Sequence, residues 1–258
     1  MAYIGKAPPI TTNLLEDADQ DTKIQVEESA DEDTIRFDIA GAEVATLTNS
    51  SLVLKGTTPT LTIGDAGAED TKIVFDGNAQ DYHIGLDDSA DDLVIGLGSA
   101  LGTTTHMAFD ETGAVIKPLQ PAAIVRQSSN VNNVTGNNTN YTAVFDTEIA
   151  DQNSDFASNT FTAPVGGIYL LIGHIWLYSI TTSATTFSPS IVTSNRTYNY
   201  LQYWVEGSNT RSQEAASFSV LADMDASDTA VVKILVNGEG SDVVEYAAGS
   251  HFMATLIC

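Results

Sequence analysis

The residues able to do chemistry are above all carboxylates: 34 Asp and Glu stand against 10 Lys and Arg in 258 residues, a formal charge of −24. Two acidic runs have the oxygen density that a hard cation such as calcium asks for. They are Asp87-Asp88-Ser89-Ala90-Asp91-Asp92 and Asp223-Met224-Asp225-Ala226-Ser227-Asp228, the second offering Asp223, Asp225 and Asp228 as metal ligands. Neither has the spacing of a helix-loop-helix calcium motif, and solvated acidic turns have the same composition. The histidines, His83, His106, His174 and His251, are scattered, and the one cysteine, Cys258, has no second thiol to share a zinc ion or a disulfide. His174 sits in an apolar run and reads as a satisfied core or interface residue. No nucleophile elbow, P-loop or dinucleotide-binding glycine pattern occurs. The chain is therefore expected to be no enzyme and to need no cofactor, calcium being the one ion kept open. A carboxylate pair that hydrolyses a glycosidic bond stays as an alternative, since that reaction asks only for two suitably spaced acids.

A second group could recognise rather than react. Arg196, Tyr198, Tyr200, Trp204 and Arg211 combine the residue types that carry most binding energy at exposed sites. Strand alternation puts Tyr198, Tyr200, Gln202 and Trp204 on one face and Leu201, Tyr203 and Val205 on the other. The rings either form a receptor-binding surface or pack between subunits. Net charge excludes nucleic acid, whose binding rests on neutralising phosphates, and an anionic membrane repels the chain for the same reason. No segment approaches the about 18 apolar residues of a membrane span. The first residues carry no apolar leader, and the five N-x-S/T sites read as the chance product of a Thr- and Asn-rich chain.

The elements that must position these residues are strands. Thr, Val and Ile recur in short runs separated by Gly, Asn, Asp and Ser, with no helical period. Residues 1–120 hold 22 acidic residues and 5 of the 20 aromatics, so the material of a large core lies in the second half. The first half repeats: Asp21-Thr22-Lys23-Ile24 returns at 70–73, Ser29-Ala30-Asp31 at 89–91, and Leu47-(x5)-Val53-Leu54-Lys55 as Phe109-(x5)-Val115-Ile116-Lys117. The unequal offsets predict two units, about 21–56 and 70–118, with an insertion of about eleven residues in the second. Alternation, as in Thr34-Ile35-Arg36-Phe37-Asp38-Ile39, gives each unit one apolar stripe too thin to bury alone. Three chains around an axis would cover the stripes, which predicts a trimeric β shaft. Pro118 and Pro121 read as a stiff neck. The expected organisation is an N-terminal anchor over 1–20, an acidic shaft over 21–120, a neck over 121–140 and a head over 141–258.

The head carries a resemblance. Asn159-Thr160-Phe161-Thr162-Ala163-Pro164-Val165-Gly166-Gly167-Ile168-Tyr169 feeds a long apolar strand, Ser217–Met224 leads through Ser227-Asp228-Thr229-Ala230-Val231 to a further strand, and Ser250-His251-Phe252-Met253-Ala254-Thr255-Leu256 closes the chain. These segments resemble the C1q/TNF-like jelly roll, with Ser227 and Ala254 where that family has glycine. The resemblance implies an all-β sandwich, a homotrimer, and core or trimer packing by Phe161, Tyr169, Leu171, Ile175, Phe218 and Phe252. Together with the repetitive acidic first half, the Met-Ala-Tyr-Ile-Gly start and the 109–118 passage, the chain also resembles fibre and appendage proteins of marine bacteriophages. The expectation is a homotrimeric virion protein, on tail or capsid. Its N-terminus would dock on other virion proteins, and its head on a host-surface glycan or protein. The alternatives are a capsid decoration protein and a polysaccharide-cleaving fibre.

Overall fold

The computed structural model describes residues 14–26, 28, 31–203 and 212–258, and among them every regular element is a strand. Trp204, Arg211 and most of the expected anchor lie outside the described residues. The chain divides into two compact units, 1–67 and 68–258.

The first unit is a five-stranded antiparallel meander, β1 (Leu14–Glu16), β2 (Lys23–Gln25), β3 (Ile35–Ile39), β4 (Ala42–Leu47) and β5 (Leu52–Leu54). Ala40 and Gly41, at φ 50° and 75°, make the two-residue β3–β4 hairpin in the left-handed region that such turns require. Cross-strand neighbours share a face, so Leu15, Ile24, Phe37, Ala45 and Leu54 form one row and Ile35, Leu47 and Leu52 another. The opposite face is charged. Arg36 is ion-paired with Glu28, Glu32 and Glu43, Lys55 with Glu43, and Lys23 with Asp38. Hydrogen bonds from Lys55 and Arg36 hold the Glu43 carboxyl below its ordinary value. Among the described residues the apolar face has no such partner: Leu15 is 70% exposed.

The second unit opens with another five-stranded meander, β6 (Thr71–Phe75), β7 (Tyr82–Asp87), β8 (Asp92–Leu97), β9 (Thr105–Phe109) and β10 (Val115–Ile116). Both meanders carry a bulge between third and fourth strands, at Phe37/Asp38 and at Ile95/Gly96. By strand order β2 corresponds to β7, so the matches at 89–91 and 109–117 are equivalent. The Asp21–Ile24 match is not, because its second copy falls on β6, a first strand. The expected insertion is thus replaced by a single repeat close to sixty residues long, the spacing of the Ser29-Ala30-Asp31 pair. On one face of this sheet the rows are Leu86, Leu93, Phe109 and Val115; Ile73, Ile84, Ile95 and Met107; and Phe75, Tyr82 and Leu97. That face is apolar in every row and at least partly exposed, Phe75 at 61%.

The rest of the second unit is a sandwich. Its strands are β11 (Ala122–Arg126), β12 (Val131–Thr135), β13 (Asn140–Thr142), β14 (Thr147–Asp151), β15 (Phe156–Ala157), β16 (Thr160–Thr162) and β17 (Gly167–Tyr178). They continue with β18 (Thr186–Phe187), β19 (Ser190–Thr193), β20 (Thr197–Asn199), β21 (Gln202–Tyr203), β22 (Gln213–Met224), β23 (Thr229–Asn237), β24 (Val244–Tyr246) and β25 (His251–Leu256). One sheet runs β12-β24-β17-β25-β11-β14, with β22 on the other side of β17; in the second, β16 and β19 flank β23, and β20 pairs with β19. The chain crosses repeatedly between sheets, and its first and last long strands lie side by side. That is the Greek-key winding of a jelly roll.

The inward faces make one core. Phe161, Tyr169, Leu171, Ile175, Phe218 and Phe252 are all buried within a single copy, Phe161 meeting Tyr169 across the sheets at 5.5 Å. They are therefore core residues of the protomer rather than contacts between protomers. The neck expected over 121–140 is corrected: β11 pairs with both β25 and β14, and β12 with β24. Residues 117–121 are tied down as well. Gln152 Nε2 donates to the carbonyls of Lys117 and Gln120, and Gln120 Nε2 to that of Leu256. The head thus begins at residue 122.

Ser227, where the related pattern has glycine, stands at φ 76° in the β22–β23 turn. A non-glycine residue is strained there. Ser227→Gly is expected to raise stability by about 1 kcal/mol, read as a higher midpoint in thermal denaturation. An unchanged or lower midpoint would show that the turn stores no such strain.

Candidate functional site

Of the expected recognition residues, the described ones, Arg196, Tyr198 and Tyr200, lie in and just after the β19–β20 hairpin. The β19–β20 hairpin places Tyr198 opposite Ile191, and its turn closes through the Thr193 amide donating to the Arg196 carbonyl at 2.9 Å. Tyr198 packs partly on the core, while Tyr200 is half exposed and lies against Phe218 of β22, centroids 5.6 Å apart. Between them is a cleft of about 300 Å³ lined by Ile191, Tyr198, Asn199, Tyr200, Phe218 and Val220. Arg196, in the hairpin turn, pairs with Asp223 of β22 at 2.6 Å, both side chains being more than half exposed. An aromatic floor of this kind can stack a flat or sugar-like group.

The expected single strand through Trp204 is corrected. β20 ends at Asn199, the Tyr200 amide turns to the Pro189 carbonyl, and Gln202–Tyr203 pairs instead with Thr186–Phe187 of β18. Neither of the two expected faces is wholly core, since Tyr200 on one is 49% exposed and Tyr203 on the other 77%. Alternation failed because Pro189 and the turn at 200–201 break the strand.

The acidic ligand set is corrected too. Asp223 is engaged by Arg196, and Asp228 Oδ2 faces its own turn, accepting from the Asp225 amide and from Asn195 Nδ2, both at 2.8 Å. Asp87 accepts from Ser89 within its hairpin. Among the described residues the one set of three acidic ligand atoms that converges, within 4.8 Å, is Asp17, Asp19 and Asp21 in the exposed β1–β2 turn.

The outer face of the head's first sheet is apolar as well. The strand 167–178 alternates buried and half-exposed residues, so Ile168, Leu170, Ile172, His174 and Trp176 point away from the core. They continue across the ladders into Leu221, Met253 and Ile124, with Leu221 62% exposed. His174 therefore lies on a half-covered outer face rather than in the core of a single copy, which leaves the interface half of the expectation open.

The winding and the single core define the second unit's sandwich as a jelly roll. Solved structures to which the chain is similar include the globular domain of zebrafish complement 1qA protein, at 13% identity and a TM-score of 0.38 over 54% of this chain and 98% of that one. Murine APRIL is similar at 10% identity and a TM-score of 0.37, over 54% of this chain and 99% of that one. No family model matches the sequence, and no curated protein matches it significantly.

Proposed function

We propose that the chain is a homotrimeric structural protein of a virion, a fibre on the tail or capsid surface that holds the host surface through its C-terminal head. One observation carries the reading: each meander has a face that is apolar in every row and uncovered in a single copy. Exposed apolar patches of this extent mark association surfaces. Three copies around an axis turn those faces inward and leave the acidic turns in water, where like charge also guards the sheet edges. The virion assignment draws on the resemblance of the sequence to phage appendage proteins. The N-terminal segment then docks on another virion protein.

The head supplies the binding. Its cleft at Tyr198, Tyr200 and Phe218 is small, and weak sites of that kind become effective when three engage together. The ligand is a host-surface glycan or protein. Replacing Tyr200 by Ala is expected to lower retention on adsorbing cells at least about tenfold with solution mass and melting unchanged. Wild-type retention by that variant would move the binding surface elsewhere on the head.

A further inference from the structure

The cleft beside the β19–β20 hairpin has a lining that narrows what it can take. Tyr198, Tyr200 and Phe218 give it three rings and Asn199 and Ser219 its polar groups, and among the described residues no charged one lines it. Arg196, two positions before Tyr198, is already taken up by Asp223. Tyr200, half exposed, is backed by Phe218 with centroids 5.6 Å apart and planes at 38°, and Phe218 itself is buried. The exposed ring is thus held against the core, which lowers the cost of ordering it on binding.

The polar groups around these rings are uncommitted. Among the described residues the hydroxyls of Tyr198 and Tyr200 and the side-chain amide of Asn199 have no hydrogen-bond partner, and each can both donate and accept. On the other wall β22 is paired with β17 alone, so at Ser219 and Val220 the cleft borders a sheet edge whose outward backbone groups are unpaired. We propose that the ligand of this cleft is an uncharged glycan: one pyranose lays the C–H side of its ring on Tyr200, and its hydroxyls bond to Asn199 and to the free edge of β22. This assignment builds on the cleft being the head's binding surface and names the chemistry that surface recognises.

Two rival ligands fit less well. A uronic acid, a sialic acid or a sulfated sugar brings a negative charge that calls for a cation once it is desolvated, and none lines the cleft among the described residues. The formal charge of −24 repels such a sugar as well. An extended peptide added to β22 needs a groove as long as the strand it lays down. The cleft meets β22 over residues 218–220, and its volume of about 300 Å³ lies at the lower end of small-ligand sites, room for a sugar ring or two. An aromatic face suits the apolar C–H side of a pyranose, and groups that donate as well as accept match sugar hydroxyls, which do both.

The test uses the full-length chain and saturation-transfer NMR, which reads weak contacts proton by proton. The neutral probes are the methyl glycosides of glucose, galactose, mannose and N-acetylglucosamine; the charged ones are the methyl glycosides of glucuronic acid and of sialic acid. At least one neutral probe is expected to take up saturation on the C–H protons of one ring face, with affinity at least about tenfold higher than for either acid. Tyr200→Ala is expected to lower that affinity at least about tenfold and Asn199→Ala about fivefold, while Tyr200→Trp keeps it. The same neutral sugar in excess is expected to release the chain from adsorbing cells. Acid binding as tight as neutral binding would overturn the proposal, and so would neutral binding that Tyr200→Ala leaves intact. If no sugar binds while Tyr200→Ala still lowers retention on cells, the cleft is the binding surface for a protein and the glycan assignment alone falls. If a neutral sugar binds through Tyr200 while retention is indifferent to Tyr200→Ala, the glycan site is upheld and host attachment lies elsewhere.

Discussion

In light scattering the full-length chain is expected at about 82 kDa, three times its 27.3 kDa, and the Ile95→Asp variant at the mass of one chain. Ile95 lies in the central row of the β6–β10 face, between Ile84 and Met107. Burying an isoleucine is worth about 1.5–3 kcal/mol, and a carboxylate in its place must also be stripped of water without a partner. Around a three-fold axis the substitution acts three times. The loss is then at least about 4 kcal/mol per trimer, about a thousandfold in the assembly constant. Asn78→Asp, an exposed loop change of similar charge, is expected to leave the mass at three chains. A wild-type chain that runs alone, or an Ile95→Asp chain that stays assembled, would remove the burial argument for a shaft.

The second large effect concerns the head core. Phe161→Ala is expected to cost about 3–5 kcal/mol, because the ring is fully buried against Tyr169 and leaves a cavity between two paired sheets. For a unit of this size that is roughly 10 °C in the melting midpoint. Gly173→Ala tests the same core from the opposite direction. An added Cβ would stand 2.5 Å from the Phe218 ring, so overpacking of about 1–3 kcal/mol is expected. If Phe161→Ala moved the midpoint by less than about 2 °C, the core would be far more plastic than its burial implies.

Much of this was legible in the sequence, for identifiable reasons. Alternation in Thr34–Ile39 reports directly which side chains share a face, and β3 keeps Ile35, Phe37 and Ile39 together on the apolar side. The aromatic content after residue 120 located the core. What stayed hidden was polar burial. Gln127 and Thr135 are almost fully covered, Thr135 because its hydroxyl donates to the Thr139 carbonyl and accepts from the Val236 amide. A Ser- and Asn-rich stretch with such residues reads as a linker, although Ala123 and Val125 already alternate inward just after Pro121. The Asp21–Ile24 match misled because four residues can recur by composition alone in a chain rich in Asp and Thr. Bulge position, which does mark the repeat, leaves no residue signature. The cleft was half legible: Tyr198 and Tyr200 do line it together, but the break after Asn199 depends on the Tyr200 amide bonding to the Pro189 carbonyl, a partner eleven positions upstream.

The placement of β11 has a mechanical consequence. It is the strand by which the chain enters the head, and it is gripped along its length by β25 on one side and β14 on the other. Antiparallel hydrogen bonds lie across the strand axis. Tension arriving at Pro121 while the head is anchored elsewhere therefore acts along the strand, in shear, and strains both ladders at once instead of peeling them open one bond at a time. A tether attached this way yields only when a whole strand slips, so the head is built to stay folded under load that would unzip a strand pulled from its end.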